Sequence, residues 1–481
     1  MSVKLRPYTE YKDPGVPWLG RVPSDWDVVR LKHASDQIVC GATPASSAAE
    51  NWDGDIVWAT PADVGKSRWL RDSQRQITDA GLASCSARLV PRGSIILTCR
   101  APIGGVALAA MPLCTSQGCK SIIPNASRLH SVFGFYLMGA MKHHLQSLGS
   151  GTTFPEISTD VLAGTEIPIP PLHMQRQIAA FLTRVDLTVR RLIRAKHRQI
   201  ELLNEQKQVI INRAVTRGLD PNVRLKPSGV EWLGDIPEHW EVVALGVRYW
   251  VQLGKMLDAK KITGDYLVPY LRNADVQWDR VNSDNLPMMD ICEHEYERYL
   301  VQPGDLLVCE GGDIGRSAFW NGSLPRCGYQ KALHRLRPRD TGREYPRFLF
   351  YVMFAASRQG VFVADGSENT IAHLTAEKLR HHRFAFPSME EQQHIACYLD
   401  VGTAGLTMAA EKVQQEIDLL REYRTRLIAD VVTGKLDVRG VELPDLEDAD
   451  IAYDLGDSGF NSDTDQDDLP DAEEVEADDE D

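Results

Sequence analysis

Few side chains in this sequence are spaced for catalysis. Two histidine pairs, His143–His144 and His381–His382, could bind a metal. No carboxylate lies at ligand spacing beside them, so solvated or helix-end histidines are expected and no metal site is assigned. Nine cysteines, at 40, 85, 99, 114, 119, 292, 309, 327 and 397, include no CxxC pair. An odd count without such a pair indicates neither a disulfide framework nor a zinc ribbon, and a reducing cytoplasm is expected. No Walker-A loop occurs and no GxGxxG follows a strand, so neither a nucleotide motor nor a dinucleotide site is expected. The Asn/Asp-Pro-Pro-aromatic tetrapeptide of amino-methyltransferases is missing, and Asp13-Pro14-Gly15 does not qualify. The acidic run Pro444-Asp445-Leu446-Glu447-Asp448 lacks the lysine of a nuclease centre and lies in a low-complexity segment. Trp18 and Trp26, with Trp232 and Trp240, could stack on bases. Their strict spacing in a Pro-rich lead fits buried anchors better.

The elements that would position such residues repeat. Residues 15–33 and 229–247 match at ten of 19 positions, with two Trp in register. PRGSIILTCRAPIG (91–104) is answered by PGDLLVCEGGDIG (303–315), and PPLHMQRQIAAFL (170–182) by PSMEEQQHIACYL (387–399). The unit, about 215 residues long, occurs twice, too few times for a solenoid. The first part of each unit is rich in Gly, Pro and short apolar runs, the texture of strands in a mixed α/β globule. Residues 172–216 contain neither Pro nor Gly and place apolar residues from Ile178 to Ile210 at three-four spacing. That predicts a helix of about 68 Å, able to pack as a coiled coil. Residues 389–433 keep the stripe, and Gly402 with Gly405 predicts a kink or break there. The first rod carries nine Lys/Arg and three Asp/Glu, the second four and eight. Opposite signs favour packing of the two rods on each other.

Charge bounds the partners. The 481 residues suggest two to four domains at roughly 100–200 residues each. The net charge of −14 argues against DNA until it is located. Residues 440–481 hold 19 acids and no Lys or Arg, leaving 48 acids against 53 bases elsewhere, a net of about +5. Such a tail is expected to be disordered, with solvation as its default role and mimicry of DNA charge as the sharper alternative. No stretch approaches the roughly 18 uninterrupted apolar residues of a membrane span. The first residues have no apolar core and do not read as a secretory signal.

These features together resemble one family, the specificity subunits of Type I restriction–modification systems. The resemblance rests on the PWLG-x-x-P-x-x-W opening (Pro17 to Trp26) and its copy (Glu231 to Trp240). It includes GATP (41–44) before NWDGDIVWATPADV (51–64), and GKMLDAKK (254–261) before VPYLRNADVQ (268–277). Ile103–Gly104, Ile314–Gly315, Gln117, Gln330, Gln175–Ile178 and Gln392–Ile395 also fit. It covers about residues 10–440, and the second copy departs from the GATP form, which suggests that the modules read different sequences.

The resemblance implies an α/β fold with two repeated mixed α/β target-recognition domains, separated by two long antiparallel coiled-coil helices in pseudo-twofold arrangement. The expected division is a lead at 1–20, recognition domains at 21–168 and 235–386, and spacer helices at 169–217 and 387–434. A linker occupies 218–234 and the acidic tail 440–481. It also implies sequence-specific recognition of a bipartite, asymmetric site in double-stranded DNA, with two methyltransferase (modification) subunits and restriction subunits as partners. S-adenosylmethionine, ATP and Mg would serve those partners; this chain would bind no cofactor and carry no catalysis. Base edges and phosphates call for cations. Candidates are Lys66, Arg68, Arg71, Arg75, Arg100 and Lys120 in the first module. In the second they are Lys255, Lys260, Lys261, Arg272, Arg316, Lys331 and Arg335. For any one of them a solvated surface charge is the plain alternative. Two rival functions are a coiled-coil scaffold that reads no DNA and an autonomous methyltransferase or nuclease. The first is disfavoured because the globules repeat yet differ in their reading loops, the second by the missing motifs.

Overall fold

The apolar runs of each repeat become central strands of a sheet covered on both faces. The computed structural model describes residues 5–100, 102–151, 155–257, 263–363 and 373–441; Lys260, Lys261 and the acidic segment beyond Val441 lie outside them. The chain divides into two units, Met1–Ala195 with Glu416–Asp481, and Lys196–Gln415.

In the first unit SIILTC supplies the strand Ile95–Cys99, buried throughout. The sheet order is Ser35–Cys40, Cys119–Pro124, Ile95–Cys99, Ile103–Ala109, Trp69–Leu70, with only the last pair parallel. Alternate residues serve different cores. Ile95 and Leu97 pack with helix α1 (Ser131–Ala140), while Ile96 and Ala107 face a second cluster with Val39 and Leu113. Two buried faces explain why the run is continuously apolar instead of alternating. A smaller sheet places Trp52–Ala59 between Cys114–Thr115, parallel to it, and Gln76–Ile77.

The second unit repeats the strand order. Its main sheet runs Tyr249–Leu253, Leu333–Pro338, Leu306–Cys309, Ser317–Phe319, and its smaller sheet runs Met288–Asp290, Leu267–Leu271, Gly328–Tyr329. Phe133 and Phe348 occupy matching core positions, and fully burying each ring contributes roughly 1.5–3 kcal/mol. Trp26 and Trp240 are likewise fully buried anchors, while Trp18 and Trp232 are half-buried and pack against the same cores. His144 stacks on Trp18 and His382 meets the edge of Phe362.

Helix α2 (Leu172–Arg217) follows the first globule, and helix α4 (Met389–Val432) follows the second, whose own core helix is α3 (Pro346–Arg358). One buried glutamine seats each long helix. Gln175 Nε2 donates to the Pro170 and Arg128 carbonyls, and its Oε1 accepts from the His130 amide. Gln392 repeats this with the Pro387 and Arg343 carbonyls and the Tyr345 amide. The Gln shared by PPLHMQ (170–175) and PSMEEQ (387–392) is therefore a joint between globule and helix. Gly218 and Gly434, at φ 71° and 78°, follow the helix ends in the left-handed conformation that glycine adopts without strain.

Within the first unit, Asp186 of α2 meets Arg424 of α4, and Gln177 donates to the carbonyls of Val438 and Arg439. The two segments thus run in opposite senses. In the second unit Lys207 donates to Thr407, and a Cβ on Gly218 would lie 3.3 Å from the Glu391 carboxylate, again in opposite senses. The break predicted at Gly402 and Gly405 is not found: α4 continues through both. Both glycines are exposed with no neighbour against them, so they weaken the helix locally without ending it. In the first unit residues 6–11 also meet the segment 435–439 that follows α4. The Asp437 amide donates to the Arg6 carbonyl, Tyr11 Oη donates to the Lys435 carbonyl, and Arg439 lies over the Tyr8 ring. No helix among the described residues is long and apolar enough to cross a membrane.

Candidate nucleic-acid interface

Parallel pairing in the smaller sheets gathers loops at one strand end. In the first unit Ala59 pairs with Thr115, so Thr60 and Ser116 follow neighbouring strand ends. The Ala42 amide donates to the Thr115 carbonyl and brings the GATP loop alongside. Gly41 permits this approach, since a Cβ there would lie 2.1 Å from the Ser116 carbonyl oxygen. In the second unit Leu271 pairs with Tyr329, which sets Arg272 beside Gln330. The Lys255 amide donates to the Tyr329 carbonyl, and the Lys331 amide to the Lys255 carbonyl. Gly254 repeats the need for glycine, its Cβ position lying 2.2 Å from the Gln330 carbonyl oxygen.

Buried carboxylates brace the connections that leave these strands. Asp63 accepts from the Thr60 amide and hydroxyl and from the Gln74 amide. Asp275, at the matching place in the repeated Ala-Asp-Val, accepts from the Arg272 amide and from two nitrogens of its guanidinium. The indoles of Trp58 and Trp52 donate to the Ala42 and Ala45 carbonyls, pinning the GATP loop from beneath.

The candidate cations divide by exposure. Lys66 and Arg71 are exposed on the connection that Asp63 braces. Arg75 is exposed and stacks 3.6 Å above the Trp52 ring. Arg272 remains exposed while held by Asp275, and Lys331 is exposed at the gathered strand ends. Arg100, Lys255 and Arg316 are half-buried. Lys255 pairs with Glu295, Arg316 donates to the Asn273 carbonyl, and the Arg100 backbone bridges to Glu156.

Three candidates read as surface cations lie instead in the interior. Arg68 is spent on Asp186, Tyr136 and Thr183. Lys120 reaches Glu156 from a buried strand. Arg335 donates to the Leu300 and Glu297 carbonyls, and burial pulls its pKa down. Gln117 and Gln330 were legible only as motif letters. The structure sets both at the gathered ends, Gln117 exposed and Gln330 half-buried. Exposed Met256 and Leu257 join Lys255 there. Among the described residues no cluster of His, Cys, Asp or Glu could hold a metal ion.

The family described as "Type I restriction modification DNA specificity domain" matches residues 23–202 and 237–419, once per repeat. The chain belongs to that family. A Type I restriction enzyme MjaIX specificity subunit of Methanocaldococcus jannaschii is 34% identical over 284 residues, which cover 58% of this chain and 62% of the relative. A putative MjaX specificity subunit of the same organism is 30% identical over 199 residues, covering 41% of this chain and 44% of the relative. The chain thus spans less than two thirds of these two relatives. The MjaVIII specificity subunit, also from that organism, is 23% identical over 438 residues, 88% of this chain and 95% of the relative. A solved chain described for complex assembly and conformational transition of the type I R-M system superposes with a TM-score of 0.63. It shares 19% identity and covers 86% of this chain and 99% of its own, a likeness of fold.

Proposed function

We propose that this chain is a sequence-specific DNA recognition subunit that directs a Type I methyltransferase/endonuclease complex to a bipartite, asymmetric site. The observation that carries the reading is the repeated gathering of loops at the parallel strand ends, with shared glycines and aspartates beneath and different side chains on top. The shared parts are Gly41 and Gly254, Asp63 and Asp275. The differing parts are Ala42–Pro44 with Gln117 against Lys255–Leu257 with Arg272 and Lys331. One scaffold with two surfaces suits two unlike half-sites. Glutamine pairs with adenine and arginine with guanine in the major groove, and lysine serves phosphates. Lys66, Arg71, Arg75, Arg272 and Lys331 are the favoured contacts, with Lys260 and Lys261 retained from the sequence.

In this reading residues 21–168 and 235–386 are the recognition domains. The long helices at 169–217 and 387–434 form an antiparallel coiled coil that fixes the spacer, and the two halves are related by a pseudo-twofold. The partners are double-stranded DNA, two modification subunits and restriction subunits. Those subunits use S-adenosylmethionine, ATP and Mg in the cytoplasm, and this chain contributes choice of sequence and no catalysis. The test is selection from a library of long random-sequence duplexes by the full chain in its native complex. The expected result is enrichment of two different short elements at one fixed gap. Enrichment of a single continuous element, or of none, would overturn the reading.

A further inference from the structure

The tightest polar cluster lies away from the gathered loops. Asp186 of α2 is fully enclosed, and three arginines from three parts of the chain converge on it. Arg68 comes from the globule, 2.8 Å from one carboxylate oxygen, and its guanidinium also donates to Tyr136 Oη at 2.6 Å and Thr183 Oγ1 at 3.1 Å. Arg190, one turn along α2, lies 2.9 Å from the same oxygen. Arg424 reaches in from α4, its Nε 2.5 Å from the other oxygen. Burial pushes the Asp186 pKa up, yet Arg424, Arg190 and Arg68 together hold it below the ordinary carboxylate value. The group is therefore an anion inside the unit.

The second unit carries the same design with carboxylate and hydroxyl exchanged. Thr183 and Asp186 correspond to Asp400 and Thr403, Tyr136 to Tyr351, and Arg424 to Lys207. Arg347 and the Tyr351 hydroxyl bond Asp400, while Lys207 donates to Thr407. The Asp400 side chain is 42% exposed, whereas Asp186 is 0% exposed. Only the first unit thus encloses its carboxylate between globule and both helix segments.

Apolar contacts are non-directional, whereas charge-assisted hydrogen bonds from three guanidinium groups to one carboxylate require a defined geometry. A slip of one heptad would move the 416–432 segment about 10 Å along α2, equal to about three base pairs at 3.4 Å each. It would carry Arg424 away from Asp186. We propose that Asp186 is a positioning residue: it holds Arg68 of the globule and Arg424 of α4 on one carboxylate. That fixes the register in which the first unit presents its reader, and with it the gap length the chain accepts. This rests on the DNA-recognition reading above.

The test repeats the duplex selection with the wild-type chain and with Arg424→Gln and Asp186→Asn, each in the native complex, with a thermal melt taken alongside. Expected is enrichment of the same two elements by all three proteins. The variants should accept neighbouring gaps, their preference for the native gap falling at least about tenfold. A variant that keeps one unchanged gap overturns the inference, whatever its melting temperature, since a purely structural role lowers stability alone. Loss of both elements by a variant that still melts cooperatively also overturns it. Should neither variant melt cooperatively, Arg424→Lys, which keeps the charge on a point donor instead of a fork, is read by the same criterion. Failure of the wild type to enrich two elements refutes the DNA reading and is thereby distinguished from failure of the Asp186 proposal.

Discussion

A cation's fate depends on where its backbone leads, and the sequence does not state this. Arg68 and Arg75 lie seven residues apart in one connection. One turns inward to Asp186 and the other outward onto Trp52. Their distinct substitution profiles follow. Arg75→Ala should cost roughly 1–3 kcal/mol of affinity at the selected DNA and relax preference locally. Lys331→Ala should lower the slope of log affinity against log salt by about one. Arg68→Ala should act first on the melt, because it leaves a buried carboxylate short of a partner. Fluorescence anisotropy across a salt series, with melting curves, separates these outcomes. An unchanged slope for Lys331→Ala would remove it from the phosphate contacts. Arg68, Lys120 and Arg335 could not be told from surface cations beforehand. Their partners are either distant in sequence, as Asp186 and Glu156 are, or main-chain carbonyls that no residue letter reveals.

Elements were more legible than residues. The three-four stripe from Ile178 marks a helix because its period is local, and the repeated Pro-x4-Gln marks its start because Gln175 and Gln392 make nearly the same bonds. The glycines of α4 misled for a reason of magnitude. Each costs the helix roughly 0.5–1 kcal/mol relative to alanine. That is too little to interrupt 44 residues anchored by buried Ile395, Leu399, Val413 and Ile417. Gly402→Ala and Gly405→Ala should therefore each raise stability by about that amount in denaturant melts. A loss of stability would mean that the exposed face needs the smaller residue. The stripe is not covered along its whole length: Leu192 is 46% exposed. Spacing reports a face and leaves open what covers it.

At the scale of the whole molecule, duplication was the strongest signal in the sequence, and the charge total the weakest. Replacing residues 20–165 by the corresponding segment of another family member should change one selected half-site and leave the other intact. Change in both would show that the modules do not read independently. The gathered loops carry Gln117 in one unit and Arg272 with Lys331 in the other, while glycines and aspartates beneath them are held in common. Target bases stayed illegible because they depend on how those few side chains meet a groove.

The division into units has a consequence for synthesis of the chain. The second unit is one uninterrupted stretch, residues 196–415, and can close as soon as it has emerged. The first begins at the N-terminus but completes its core with Leu427, Val431, Val432 and Val438. At about 5–20 residues per second, those residues trail the first globule by roughly 13–54 s. Throughout that interval the nascent globule shows the ribosome's surroundings an apolar face that residues 427–438 will later cover. The half made first is thus the half finished last.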